Sequence, residues 1–286
     1  MEELQRVRDT PDPLDRVRLA TEAMADYQAA IAEFGKLRRD AVDYLRSQGM
    51  TLAEIADKAG VSRARLSQLS AAPKRAPERI LFSEGSTVTF AVDTKQESGS
   101  GRPVVHQEHA AAIEILNRTV RRTGLEPVEV EYIVPPGLID LNREGLVVIC
   151  GPRRSPLIAQ MLAADERYGF EKDADGWYLH DKATGRQYRS PEDSGKPGDY
   201  AYLGRLPRPD GRGYWLYMAG IHAPGGQGAA MYLEQELSDL YRDVKATRWS
   251  CLVECEWDPE SRQIQRAELL APIHQPGRKS ARKRSQ

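Results

Sequence analysis

The sequence has few cysteines, no long apolar run and almost no net charge. Its three cysteines, Cys150, Cys251 and Cys255, are too few and too unevenly spaced for a disulfide framework. Three thiolates could bind zinc, but no CxxC pair accompanies them, so we expect small buried side chains and no metal. No apolar run approaches the roughly 18 residues that would span a bilayer, and the N-terminus lacks the apolar core of a signal peptide. We therefore expect a cytoplasmic protein with no membrane partner.

The net charge of −1 conceals two basic segments. Between Lys58 and Arg79, six basic residues stand against one acidic residue, Glu78. The C-terminal sequence HQPGRKSARKRSQ adds five basic residues and no acidic one. Because attraction to phosphate depends on where the charges lie and not on their sum, both segments can present basic surfaces to a nucleic acid.

Residues 13–47 are predicted to form one long helix. Apolar residues such as Leu14, Val17 and Met24 recur at three- and four-residue steps, and Gly49 follows as a terminating glycine. The apolar stripe can pack within a small helical domain, or it can extend beyond that domain and pair with a second copy. We expect a homodimer.

A helix-turn-helix is predicted over residues 51–69. Thr51 and Glu54 have the spacing of a capping box at the start of the first helix. Gly60 occupies the turn, where a positive φ is least costly for glycine. Ser62 can then cap the second helix.

The second helix has an outward face that can read DNA. Leu66 and Leu69 are expected to point inward, and the N-terminal part of such a helix enters the major groove. Arg63 could pair with guanine and Gln68 with adenine, whereas Arg65 is better placed for phosphate. The predicted DNA-binding residues are Ser62, Arg63, Ala64, Arg65, Ser67, Gln68, Lys74 and Arg75.

Residues 14–70 resemble the sigma-factor-like helix-turn-helix of many actinobacterial regulators, in which a long helix leads into a sequence such as GMTLAEIADKAGVSRARLSQL. The resemblance is most specific over its last twenty or so residues and covers about a quarter of the chain. It implies sequence-specific binding to double-stranded DNA, usually as a dimer. The alternative is a helical hairpin with no nucleic-acid role.

The rest of the chain predicts a different architecture. Residues 71–86 contain two prolines and mixed charge, which indicates a linker. Residues 87–272 alternate strands with helices, which favours a largely parallel sheet, and they loosely resemble Rossmann-like nucleotide-sensing domains, including those related to the TIR fold. Residues 273–286 are predicted to be a basic disordered tail. The predicted fold class is α + α/β: an N-terminal all-α helix-turn-helix domain, residues 1–70, followed by a Rossmann-like α/β sandwich domain.

Two loops of the second domain are candidate ligand sites. The first begins at Gly151, follows the buried strand LVVIC and opens a helix, an arrangement that binds anions. Arg153 and Arg154 add positive charge, and Ser155 can cap the helix or bond to a phosphate. Neither GxGxxG nor a Walker loop is present, so we expect no bound cofactor.

The second loop, GIHAPGGQG, also lies between a hydrophobic strand and a helix. In a parallel sheet both loops emerge at the carboxyl ends of strands, where ligands gather. His222 could contact a ligand or act as an acid or base. The alternative is that the glycines only permit tight turns and close helix packing. The predicted ligand-binding residues are Gly151, Arg153, Arg154, Ser155, His222, Gly225, Gly226, Gln227 and Gly228.

His106 and His109 lie three residues apart at a predicted helix start and could bind a metal. No third ligand is evident, so we expect an exposed helix end there. Together these patterns predict a sequence-specific DNA-binding transcription regulator whose α/β domain senses a small ligand, a nucleotide or another anion. One alternative is a catalytic domain that cleaves a nucleotide or glycosidic bond and is tethered to a DNA-binding module. Another is a protein-docking domain with no ligand.

Overall fold

The computed structural model describes residues 2–70, 76–97, 99 and 101–277. The chain divides into two compact units, residues 1–74 and residues 75–286. Among the described helices, none is both long enough and apolar enough to cross a membrane.

The first unit is made of helices. The long helix predicted over residues 13–47 is present, and the side chain of Asp12 accepts hydrogen bonds from two amides of its first turn. The four helices are α1 (Glu2–Asp9), α2 (Pro13–Ser47), α3 (Leu52–Lys58) and α4 (Arg63–Ser70).

Local capping interactions form the junction between α3 and α4. The backbone amide of Thr51 donates to Glu54, and the amide of Glu54 donates back to the Thr51 hydroxyl, so the predicted capping box is present. Gly60 has a φ of +68° in the turn. The amide of Arg65 donates to the Ser62 hydroxyl at 3.1 Å, which caps α4.

A small apolar core joins α2, α3 and α4. Its buried members are Val42, Ile55, Ala56 and Leu66. Ala56 is only 2% exposed, so a larger side chain at this position would force the neighbouring helices apart. Most of the apolar stripe on α2 lies outside this core and is exposed, including Val17, Met24 and Ile31.

The second unit is built on a mixed seven-stranded sheet. Its strands are β1 (Thr87–Asp93), β4 (Glu126–Ile133), β5 (Leu146–Ile149), β9 (Gly198–Pro207), β10 (Tyr214–Gly220), β11 (Trp249–Trp257) and β12 (Ile264–His274). They lie in the order β12-β11-β9-β10-β5-β1-β4. The three pairs that join β4, β1, β5 and β10 are parallel, and the three pairs that join β10, β9, β11 and β12 are antiparallel.

Helices and a smaller sheet cover this large sheet. The helices are α5 (Gln107–Arg122), α6 (Pro156–Ala163) and α7 (Ala223–Val244). The remaining strands are the pair β2 (Lys95–Gln96) and β3 (Pro103–Val104), and the three-stranded sheet of β6 (Tyr168–Asp173), β7 (Gly176–Asp181) and β8 (Arg186–Arg189).

Both faces of the large sheet are buried at its central strands, whereas the edge strands β4 and β12 are partly exposed. On β1, Phe90 and Val92 belong to the apolar cluster that includes residues of α5 and α7, whereas Ala91 belongs to the opposite cluster with α6, β6, β7 and β8. All four residues of β5 are buried, as expected for a central parallel strand covered on both faces. The second unit is therefore a layered α/β fold.

Two domain boundaries differ from the prediction. Residues 76–86 do not form a linker, because Leu81 and Phe82 are buried in the α/β core and the amide of Ala76 donates to the carbonyl of Thr123. Strand β12 continues to His274, into the segment that was assigned to the tail. Residues 71–75 and 278–286 lie outside the described residues.

We predict that Gly228→Ala destabilises the second unit by about 1–3 kcal/mol. A Cβ atom at this position on α7 would lie 2.4 Å from Cβ of Cys255 on β11, so the helix would have to move away from the sheet. The measurement is urea unfolding of the full chain. Gly226→Ala on the same helix is the matched control, since its nearest contact would be an ordinary 3.6 Å, and equal destabilisation of both variants would contradict the prediction.

Candidate functional site

A cleft opens at the carboxyl ends of the parallel strands β1, β5 and β10, where ligands gather in α/β sheets. Its volume is about 350 Å³ when the open mouth is included. The lining residues come from the ends of these strands, the start of α5 and the start of α7: Asp93, His106, His109, Cys150, Gly151, Arg153, Arg154, Ala219, Gly220, His222 and Ala223.

An aspartate and a histidine face each other in this cleft. Asp93 is the last residue of β1, and His109 lies in the first turn of α5. Oδ1 of Asp93 lies 2.9 Å from Nδ1 of His109, but the two groups are not aligned for a hydrogen bond, and both atoms are buried without another hydrogen-bond partner. Each side chain is about nine-tenths buried. A buried polar atom without a partner is rare enough to require an explanation.

The histidine pair at the start of α5 is not the exposed helix end that the sequence suggested. The His106 and His109 rings meet edge to face, with 5.4 Å between their centroids. Burial, followed by the nearby charge of His109, lowers the pKa of His106. The neutral imidazole of His106 is therefore favoured near pH 7. Across the described residues, no group of three or more His, Cys, Asp and Glu side chains is arranged to hold a metal ion.

Two arginines supply positive charge beside Asp93. Arg153 and Arg154 lie on the short 3-10 helix that follows β5. Nε of Arg154 is 3.9 Å from Oδ2 of Asp93, which is an ion-pair contact and not a hydrogen bond. Arg153 is exposed. Cys150 also lines the cleft, but burial raises the pKa of its thiol, so a thiolate nucleophile is disfavoured.

The buried carboxylate of Asp199 holds the start of α7. Its Oδ2 accepts hydrogen bonds from the amides of His222, at 2.8 Å, and Gly225, at 3.1 Å. Burial raises the pKa of Asp199 to about 6, although the amides and Ser190 oppose the shift. The imidazole Nε2 of His222 lies 2.7 Å from Oδ1 of Asp193 and forms a second imidazole–carboxylate pair.

The glycines of the second loop serve close packing. A Cβ on Gly220 would lie 2.1 Å from the His222 carbonyl oxygen, and one on Gly225 would lie 2.5 Å from Oδ2 of Asp199. Gly226 brings α7 next to His109, with 3.8 Å from its Cβ position to the imidazole. Gly228 packs on Cys255 in the same way, so most glycines of this loop permit close packing of α7 on the sheet. Of the ligand-binding residues predicted in this loop, His222 lines the cleft.

The structure brings some of the predicted ligand residues together and places others elsewhere. Gly151, Arg153, Arg154 and His222 line the cleft. Ser155 does not line it, because its hydroxyl donates to the carbonyl of Gly137 at 2.7 Å and caps α6. Gln227 lies one turn into α7, beyond the lining residues.

Asp93, His106 and His109 were not among the predicted ligand residues. A carboxylate directly after the buried run TFAV of β1 was the available signal for Asp93. The pairing with His109 depends on how α5 packs on the sheet.

The predicted DNA-binding residues whose side chains the structure describes occupy the cap and outward face of α4. Ser62 is the capping residue, and the Gln68 side chain, Lys74 and Arg75 lie outside the described residues. The exposed side chains on the helix are Arg63, Ala64, Arg65 and Ser67.

No protein-family model matches the chain, and neither a curated protein nor a solved structure is significantly similar to it.

We predict that Asp199→Asn removes a pH-dependent loss of stability. The folded-state pKa of about 6 exceeds the ordinary value of 3.8, so this carboxyl favours folding at low pH, and that contribution is lost as the pH rises through 6. Relative to the variant, the wild type should lose about 2 kcal/mol of unfolding free energy between pH 4 and pH 7. The measurement is urea unfolding across that range. Asp175→Asn is the control, because the side chain of Asp175 is exposed. A stability difference between the wild type and Asp199→Asn that stays constant with pH would contradict the prediction.

Proposed function

We propose that the protein is a sequence-specific DNA-binding transcription regulator whose α/β unit senses a small anionic ligand. The observation that carries the DNA-binding part is the α3–α4 arrangement. Both helix starts are capped, the turn has its glycine at positive φ, and α4 buries Leu66 while exposing Arg63 and Arg65.

The exposed face of α4 has the chemistry to read a major groove. A guanidinium at Arg63, in the first turn of the helix, can form a bidentate pair with guanine O6 and N7. Arg65 lies two residues further and therefore on a different side of the helix, which suits a phosphate contact. Ser67 can bond to several base edges and is less selective.

The exposed stripe of α2 supports a homodimer. Val17, Met24 and Ile31 recur at seven-residue spacing, and each is more than half exposed. Such a seven-residue apolar repeat is typical of helices that pair with another helix. A dimer would present two copies of α4 to two half-sites, as helix-turn-helix regulators do.

We predict that Arg63→Ala alters sequence selection. From a random pool of duplex DNA, the wild type should enrich one sequence. The variant should lose the preference for one base pair of that sequence, and its binding free energy for the sequence should weaken by about 1–3 kcal/mol. Arg65→Ala should weaken binding to all sequences and reduce the salt dependence by about one phosphate contact. Arg18→Ala, which removes the same charge from α2, is the control. Enrichment by Arg63→Ala identical to that of the wild type would overturn the assignment of α4 as the reading helix.

A second candidate function is cleavage of a nucleotide or glycosidic bond in the cleft. It is favoured by the close approach of Asp93 to His109 and by the neutral His106 beside them, because a neutral imidazole can remove a proton from an attacking water. Retention of a ligand without turnover favours the sensor, whereas product formation favours the enzyme.

If the cleft is catalytic, a nucleotide panel should yield products with the wild type and none with His106→Ala. The lowered pKa of His106 keeps the base deprotonated at neutral pH, so the rate should begin to fall only at a pH below the ordinary value for a histidine. The measurement is product analysis by chromatography. Turnover that His106→Ala leaves unchanged would assign the activity to another site or to a contaminant.

A further inference from the structure

We propose that the cleft binds a sugar phosphate or nucleoside phosphate by two contacts, with the phosphate at Arg153 and Arg154 and a ligand hydroxyl donating to Asp93. This inference rests on the ligand-sensing part of the proposed function and names the class of ligand. It requires a phosphate group and a hydrogen-bond donor in one molecule.

The phosphate contact follows from the arginine pair. Arg154 forms no side-chain hydrogen bond to a described residue, and only its Nε approaches a carboxylate, at 3.9 Å. Its remaining N–H groups, with those of the exposed Arg153, can bind phosphate oxygens in bidentate geometry. The start of α7 can attract the phosphate only weakly. Asp199 already accepts hydrogen bonds from two amides there, and Pro224 has no amide hydrogen, which leaves the amide of Ala223 at the cleft.

The hydroxyl contact follows from Asp93. A carboxylate in the wall of an anion site repels a simple anion, so its presence argues against a ligand that is only a phosphate. Neither carboxylate oxygen of Asp93 accepts a hydrogen bond from a described residue. Oδ1 is buried 2.9 Å from Nδ1 of His109, whereas Oδ2 lies on the side of Arg154 and is the oxygen that a ligand hydroxyl would reach. Other α/β folds bind nucleotides with a similar pair of contacts: an acidic side chain accepts a hydrogen bond from a ribose hydroxyl, and the phosphate lies nearby at the start of a helix.

The two contacts are close enough for one small molecule. Asp93 ends β1 and Arg154 follows β5, and these strands are direct neighbours in the sheet, with Val92 opposite Ile149. The 3.9 Å approach between the two side chains places the donor site beside the phosphate site. The cleft is open to solvent at the carboxyl ends of the strands, so a ligand would lie partly in its mouth.

The test is isothermal titration calorimetry of the full-length protein with inorganic phosphate, ribose 5-phosphate, AMP and adenosine. We expect ribose 5-phosphate or AMP to bind at least tenfold more tightly than inorganic phosphate and adenosine. Equal binding of inorganic phosphate and both organic phosphates, or binding of none of the four, would overturn the proposal.

Two variants separate the contacts. Arg154→Gln should weaken both inorganic and organic phosphate at least tenfold. Asp93→Asn should weaken the organic phosphates at least tenfold while leaving inorganic phosphate unchanged or bound more tightly. Arg189→Gln on β8 is the matched control, since its side chain is 35% exposed against 37% for Arg154, and it should change neither affinity.

Folding and the regulatory proposal are checked separately. Circular dichroism and thermal melting establish that each variant is folded, and Arg153→Gln replaces Arg154→Gln if the latter is not. An equal loss of both phosphates in a folded Asp93→Asn would overturn the hydroxyl contact. If the wild type enriches no DNA sequence but still prefers the organic phosphates, the regulator is refuted and this ligand site is supported. If the wild type enriches a DNA sequence but shows no preference for the organic phosphates, only the ligand site is refuted.

Discussion

The turn from β10 into α7 depends on a carboxylate buried beneath it. Oδ2 of Asp199 accepts the amides of His222 and Gly225, and the chain can come this close only because Gly220 and Gly225 have no side chains. A buried ionised group is costly, and its raised pKa measures part of that cost. The hydrogen bonds from the helix start offset it. The direction of the first turn of α7 is therefore fixed at the position where Ala223 forms a wall of the cleft.

The polarity of the cleft follows from this framework and from two neighbouring strands. The parallel register of β1 with β5 brings Asp93 next to Arg154, and the packing of α5 on the sheet brings His109 to the same carboxylate. The result is a basic site with one acidic group inside it. In the proposed ligand site, a ligand that carries a hydrogen-bond donor gains a contact with this carboxylate that a simple anion cannot make.

The individual contacts that the sequence predicts correctly are formed between residues close together in the chain. The capping box at Thr51, the positive φ at Gly60 and the cap at Ser62 each depend on partners no more than three or four residues away. The pairing of Asp93 with His109, the burial of Leu81 and Phe82, and the antiparallel half of the sheet depend on which distant segments meet. An alternating pattern of strands and helices does not determine those contacts. For that reason the sequence predicts the two loops that line the cleft but does not predict Asp93 as a residue of the site.

A regulator needs a free-energy difference that the ligand can change, and a ligand acts only through its differential affinity for two states. The Asp93 carboxylate offers one, since it accepts no hydrogen bond from a described residue, and leaving a buried acceptor without one costs about 1–3 kcal/mol. A ligand hydroxyl that donates to it recovers that energy only in conformations where β1, β5 and α5 keep their present positions around the cleft. This range equals typical allosteric coupling energies, about a 5- to 150-fold change in affinity. In the proposed regulator, one hydrogen bond at Asp93 therefore has the magnitude needed to couple the ligand to DNA binding if the DNA-bound and free states differ in the geometry of this cleft.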